Sequence, residues 1–133
     1  QNLKPDGIAL VHTIGRSTPP GRTSPWFQKY IFPGGYSPAM SETTRAIEKQ
    51  GLIVTDVEVW RGHYARTLQH WQDKFEANLD AIRDLYDDQF LRMWRYYLAL
   101  SEMAFSEMGM VVFQFQLTRD QLAVPTTRNY LYT

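Results

Sequence analysis

Gly7-Ile8-Ala9-Leu10-Val11-His12-Thr13-Ile14-Gly15 is a nearly continuous apolar run that closes on a histidine and a glycine turn. Short runs of this kind mark strands covered on both faces, as in parallel sheets. The reading places a first strand over residues 7–12. Ligands of open α/β sheets bind beyond the carboxyl ends of the strands, so His12 is the first candidate for chemistry. No glycine-rich nucleotide loop stands before it.

Further along the chain, Pro19-Pro20-Gly21 and Pro25 mark residues 15–25 as a loop. Residues 26–31 read as a short helical turn closed by Phe32-Pro33-Gly34-Gly35, with Phe32 extended because a proline follows it. Ser41, with Thr44 and Arg45, opens a helix that reaches about Gln50, and Gly51 suits its C′ position. In residues 52–60, Ile53, Thr55, Val57 and Val59 alternate with Val54, Asp56, Glu58 and Trp60. That period predicts a strand with one covered and one partly solvated face. Beyond Arg61-Gly62, the spacing of Tyr64, Leu68, Trp71, Phe75 and Leu79 predicts a long amphipathic helix. Residues 81–86 are a short helix or its continuation. Asp87 or Asp88 can cap the next helix, on which Phe90, Trp94, Tyr97, Ser101, Ala104 and Met108 form a stripe flanked by Leu91, Leu98 and Phe105. Gly109 ends it. Met110 to Thr118 is the third strand, and its polar alternate positions suit an antiparallel edge partner. Residues 120–133 form an extended surface tail. Three strands are too few for a covered sheet, so further strands are expected upstream or from a second chain by swapping.

The 133 residues suffice for one domain. Fourteen basic and fourteen acidic side chains cancel, so net charge argues neither for nor against a partner, and nothing in the sequence suggests a basic nucleic-acid face. With no cysteine, disulfides, thiolate metal sites and thiol nucleophiles are excluded. No apolar run approaches the roughly 20 residues of a membrane span. No signal peptide is recognisable, so a cytoplasmic location is the expectation. Gln1 through Gly7 reads as a connector into a strand of a larger domain, which makes the chain an expected fragment. Aromatic residues make up 14% of the sequence; their large buried areas suit a core and a greasy ligand channel equally. His63 and His70 do not make a metal pair, since seven helical residues rise about 10.5 Å. Asp84, Asp87 and Asp88 read as a solvated face or a cap, and no metal site is expected. Arg92 and Arg95 beside Trp94 could meet phospholipid head groups, although exposed helix arginines usually do nothing so specific. Gly34-Gly35 serves a turn rather than a phosphate cradle.

Five segments carry a family signature in order and spacing. They are Leu10-Val11-His12-Thr13-Ile14-Gly15, Lys29-Tyr30-Ile31-Phe32-Pro33-Gly34-Gly35, His63-Tyr64-Ala65-Arg66-Thr67-Leu68, Arg92-Met93-Trp94-Arg95-Tyr96-Tyr97-Leu98 and Phe113-Gln114-Phe115-Gln116-Leu117. From residue 3 to about 119 the chain closely resembles the C-terminal part of cyclopropane-fatty-acyl-phospholipid synthases, including mycolic acid cyclopropane synthases. The resemblance implies an α/β fold, the C-terminal part of a class I S-adenosylmethionine methyltransferase. Such a fold is a doubly wound sheet with an antiparallel last strand and a helical insertion between the last two strands. Residues 7–12, 52–60 and 110–118 would be its fifth, sixth and seventh strands. Residues 1–119 would then be an incomplete methyltransferase domain without its cofactor-binding half, and residues 120–133 a tail.

The activity implied is methyl transfer from S-adenosylmethionine to a cis double bond of a phospholipid acyl chain. A carbocation forms, the new methyl loses a proton, and the ring closes, with a bound bicarbonate as base. The resemblance assigns the bicarbonate to His12, to the backbone of Ile14 and to the hydroxyl of Tyr64. The family's remaining ligands, a glutamate and a cysteine region, have no counterpart here. Neutral donors of this kind can orient a small oxyanion without placing a charged side chain in a greasy channel. Phe32, Tyr97 and Ser101 fall at positions resembling the family's lipid pocket, Ser101 replacing a cysteine of some members. None of the glycines forms G-x-G-x-x-G after a strand, so the chain by itself is not expected to bind S-adenosylmethionine properly. The implied partners are phospholipid acyl chains at the inner face of the membrane, with a homo-oligomer or strand-swapped dimer as an option. Without the resemblance, His12 reads as a hydrogen-bonded structural histidine and Tyr64 as a core residue. A related lipid methyltransferase with a different product, or a non-catalytic lipid-binding or oligomerisation module, are the alternatives.

Overall fold

Val111, Phe113, Phe115 and Leu117 are alternate residues of one strand, and all four are buried. Their side chains share one face, as the two-residue period of a strand requires. The structure, a computed structural model, describes residues 3–132. Its elements run β1 (Ile8–Arg16), α1 (Pro25–Tyr30), α2 (Met40–Lys49), β2 (Ile53–Trp60), α3 (His63–Ala77), α4 (Leu79–Arg83), α5 (Asp88–Ser106) and β3 (Met110–Thr118), with a 3-10 turn at Arg128–Leu131. The sheet order is β1-β3-β2, and β3 is antiparallel to both neighbours. β1 and β2 are therefore parallel to each other, with the last strand inserted between them.

α2 covers one face of this sheet, packing Ile47 against Val111, Phe113, Phe115 and Leu117. Its first turn is fixed by the Glu42 carboxylate, which accepts the Ala39 N–H at 2.8 Å. Its end is fixed by Gly51, whose φ of +63° only glycine adopts without strain. α3 and α5 form an antiparallel hairpin: Gln69 meets Glu102, and one heptad along α3, Glu76 meets Arg95, one heptad back along α5. The hairpin has its own core of Leu68, Phe75, Leu91 and Leu98. Asp87 is the residue that caps α5, its carboxylate accepting the Phe90 N–H at 2.8 Å.

Five expectations need correction. β1 does not stop at His12; its pairing with β3 runs from Ile8↔Thr118 to Arg16↔Met110. Gly15 lies within the strand rather than in a turn, because a Cβ there would fall on the Phe113 ring. Nor is β1 covered on both faces: Leu10 is 64% exposed, and Ile8, Val11 and Ile14 are also open. Its apolar composition suits burial, but among the described residues no strand pairs with its outer edge, which is bonded only at its end, where the Arg16 N–H donates to the Pro38 carbonyl at 3.0 Å. Third, β3 is the central and most buried strand, not an edge partner. Fourth, Ser41 lies inside α2, which starts at Met40 behind an Ala39 cap. Finally, the tail carries a turn rather than a purely extended path. Arg128 pairs with Asp56 at 2.6 Å, and the Tyr130 hydroxyl bonds the Gln116 side chain.

Candidate functional site

Two clusters hold the residues singled out from the sequence. The first lies on the sheet. His12 stands opposite Gln114 in the β1–β3 ladder, and Gln114 in turn stands opposite Glu58 of β2. Gln114 Nε2 lies 3.0 Å from His12 Nδ1. Trp60, at the end of β2, meets the His12 ring edge-on with centroids 5.8 Å apart. The same indole lies 5.3 Å from the ring of His63, which opens α3. Gly62 makes this abrupt strand-to-helix passage possible, with φ of +72°. Ile14 follows His12 on the same face of β1, paired with Val112, and is 38% exposed.

The second cluster lies between the start of α3 and the last turns of α5. Tyr64 follows His63 directly and stacks on Phe105 at 5.1 Å. Tyr97 sits one turn before Ser101 on α5, and their hydroxyls are hydrogen-bonded. Burial pushes the Tyr97 phenol above its ordinary value; the Ser101 bond draws it back, and the nearby Tyr64 phenol adds to the rise. Tyr97 therefore remains a neutral donor throughout the physiological range. Ser101 is buried, one of few polar side chains so placed. Phe32 and Phe27 lie edge-on to the Tyr97 ring at 5.9 and 6.1 Å. From there aromatic contacts continue along α5, through Trp94 and Phe90 to Tyr86.

The structure thus brings Tyr64, Tyr97, Ser101 and Phe32 into one aromatic-walled group. His12 and Ile14 lie on the neighbouring strand, and the path of contacts from His12 to Tyr64 passes through Trp60 and His63. The aromatic stripe of α5 is not the hairpin's core. The buried seam is Leu91 and Leu98 against Leu68 and Phe75, while Trp71 and Met108 of the predicted stripes are exposed. Phe90, Trp94 and Tyr97 are left only partly buried, which a lining surface requires and a core does not. Gln114 and Trp60 escaped the sequence reading as neighbours of His12. A glutamine in the middle of an apolar strand was the available signal for the first. No group of three or more potential metal ligands occurs among the described residues. No helix there is long and apolar enough to cross a membrane.

A final strand inserted antiparallel between two parallel ones, with a helical hairpin leading into it, defines part of an S-adenosylmethionine-dependent methyltransferase fold. The family model described as mycolic acid cyclopropane synthetase matches residues 1–115, and the chain belongs to that family. It is 34% identical over 119 residues to the cyclopropane-fatty-acyl-phospholipid synthase of Escherichia coli K12, covering 90% of this chain and 31% of that protein. It is 36% identical over 130 residues to the tuberculostearic acid methyltransferase UfaA1 of Mycobacterium tuberculosis, covering 90% and 30%. Among solved structures, the mycolic acid cyclopropane synthase CmaA1 complexed with SAH and CTAB aligns with a TM-score of 0.74 at 26% identity, covering 84% of this chain and 44% of that one. The cyclopropane synthase MmaA2 from Mycobacterium tuberculosis shares the fold at a TM-score of 0.77 and 24% identity, covering 86% and 45%. The chain spans about a third of the length of these curated relatives.

Proposed function

We propose that the protein carrying this chain is a cyclopropane-fatty-acyl-phospholipid synthase, and that this chain supplies its acyl-chain lining and part of a bicarbonate site. The carrying observation is the half-buried Tyr64–Tyr97–Ser101 group walled by Phe32, Phe27 and Trp94. An apolar wall with few placed hydroxyls is what an alkyl chain with one reactive bond needs. The SAH and CTAB held by the solved relative support a methyl donor and an amphiphile as ligands. The described residues do not fit S-adenosylmethionine itself, since no strand in them leads through a glycine-rich loop into a helix.

The donors do fit a small oxyanion. His12 is exposed and Tyr64 half-buried, and both offer N–H or O–H groups without a net charge of their own. Bicarbonate, when bound, supplies a base for the proton lost from the transferred methyl. His12 and Tyr64 hold and orient that ion, Ile14 adds its backbone, and Tyr97 with Ser101 stays protonated beside the chain. Phe32 and Trp94 line the path of the chain with apolar rings, which offer a cationic centre no nucleophile to quench it. Work at a membrane surface, from the cytoplasmic side, follows from a phospholipid substrate.

Mass spectrometry of lipids from cells expressing the full gene tests the activity: unsaturated acyl chains should become one methylene heavier and lose their double bond. His12→Ala or Tyr64→Phe should each reduce turnover about a hundredfold while leaving affinity for S-adenosylmethionine nearly unchanged. Wild-type turnover in both variants would remove the anion site. The similarity to UfaA1 favours a second reading, a methyl-branched product. Methyl transfer with proton loss but no ring closure leaves a branched alkene of the same mass as the ring that keeps its double bond, so ozonolysis before the spectra separates the two.

A further inference from the structure

His12 is held on one side only. Its Nδ1 faces the Gln114 side-chain nitrogen at 3.0 Å, its ring lies edge-on to Trp60, and its other nitrogen takes no part in that bond. An amide NH2 has protons to give and no lone pair to offer. The bond therefore has one sense: Gln114 donates and Nδ1 accepts. A neutral imidazole so bound carries its proton on Nε2, because the partner of one ring nitrogen decides the state of the other.

We infer that Gln114 is a positioning residue that fixes the His12 tautomer, so that the ring presents an Nε2–H donor. The inference rests on the reading of His12 as a donor to a small oxyanion. With the opposite tautomer a bare lone pair would face the anion, and the interaction would change from attraction to repulsion. The placement suits the task. Gln114 belongs to the central strand, is half-buried, and stands directly across the ladder from His12. Trp60, at the end of β2 on the same face of the sheet, meets the ring edge-on. A donor whose rotamer and protonation are both set by rigid neighbours needs no reorganisation when its ligand arrives.

Nitrogen-15 NMR of the histidine side chains in the full-length protein, at a pH where His12 is neutral, reads the tautomer directly. The wild type should show Nε2 protonated and Nδ1 bare. Gln114→Glu places an acceptor opposite Nδ1 and should move a proton onto it, with kcat reduced about tenfold or more and KM for phospholipid unchanged. Gln114→Met, close in size and without the bond, should shift both ring nitrogens toward averaged values. Wild-type protein protonated at Nδ1 overturns the inference, as do unchanged ring shifts in a folded Gln114→Glu or Gln114→Met protein. If the tautomers follow Gln114 while His12→Ala keeps full turnover, the tautomer assignment stands and the anion-site reading fails.

Discussion

Tyr97 shows how one side chain can serve both packing and chemistry. Its ring meets Phe27, Phe32 and Trp94, and its hydroxyl meets Ser101. Burial raises the phenol above its ordinary value of 10.0, because the charged form loses more by leaving water than the neutral form. The sign of the linkage follows. The unfolded phenol ionises first as pH climbs, so Tyr97 contributes stability that is full below pH 10.0 and is lost as pH rises through the higher folded value. Tyr97→Phe should therefore show a shallower fall of Tm above that pH than the wild type, as scanning calorimetry across the alkaline range would record. At the same scale, His12 was visible in the sequence and its partner was not. Gln114 is 102 positions away, and only the register of β3 brings the two together.

At the scale of elements, β2, the two long helices and β3 were legible because each has a clear period and a turn residue at its end. Gly51 and Gly109 close α2 and α5 with φ of +63° and +75°. The division of labour on α5 was not legible. A stripe of large aromatics looks like a core, yet the seam against α3 is made by Leu91 and Leu98. On the α5 side the seam is filled by leucines one heptad apart, which interdigitate with Leu68 and Phe75 of α3. The hairpin should therefore depend on its leucines. Leu98, 1% exposed, should lose about 2–5 kcal/mol on replacement by alanine, measured by urea unfolding. The exposed Tyr86, at the far end of the aromatic series, should be far more tolerant.

For the whole molecule, the open edge at β1 is the dominant physical fact. Among the described residues, Ile8, Leu10, Val11 and Ile14 present exposed apolar side chains along a strand whose outer edge is open up to the Arg16–Ala39 bridge, a combination that templates strand addition. The 133-residue chain on its own should self-associate as its concentration rises. Leu10→Lys with Val11→Lys should restore a monomer, as light scattering after size exclusion would show. Composition indicated a strand meant for the interior, but it could not say which neighbours would cover it. The same limit explains the misjudged role of β3. Its glutamines resembled a solvated face, whereas Gln116 bonds the Thr55 and Tyr130 hydroxyls and Gln114 bonds His12.

The place of β3 also dictates when the protein can fold during synthesis. Ile8 pairs with Thr118, and Ile53 pairs with the same residue from the other side. Among the described residues, the two parallel strands therefore find their shared neighbour only once Thr118 has left the ribosome. The helical hairpin, built from contacts near in sequence, can form in the meantime and deliver the last strand to the gap. A nascent chain stalled before Met110 would hold that hairpin without β3, and the β3-facing edges of β1 and β2 would be the segments a chaperone must guard.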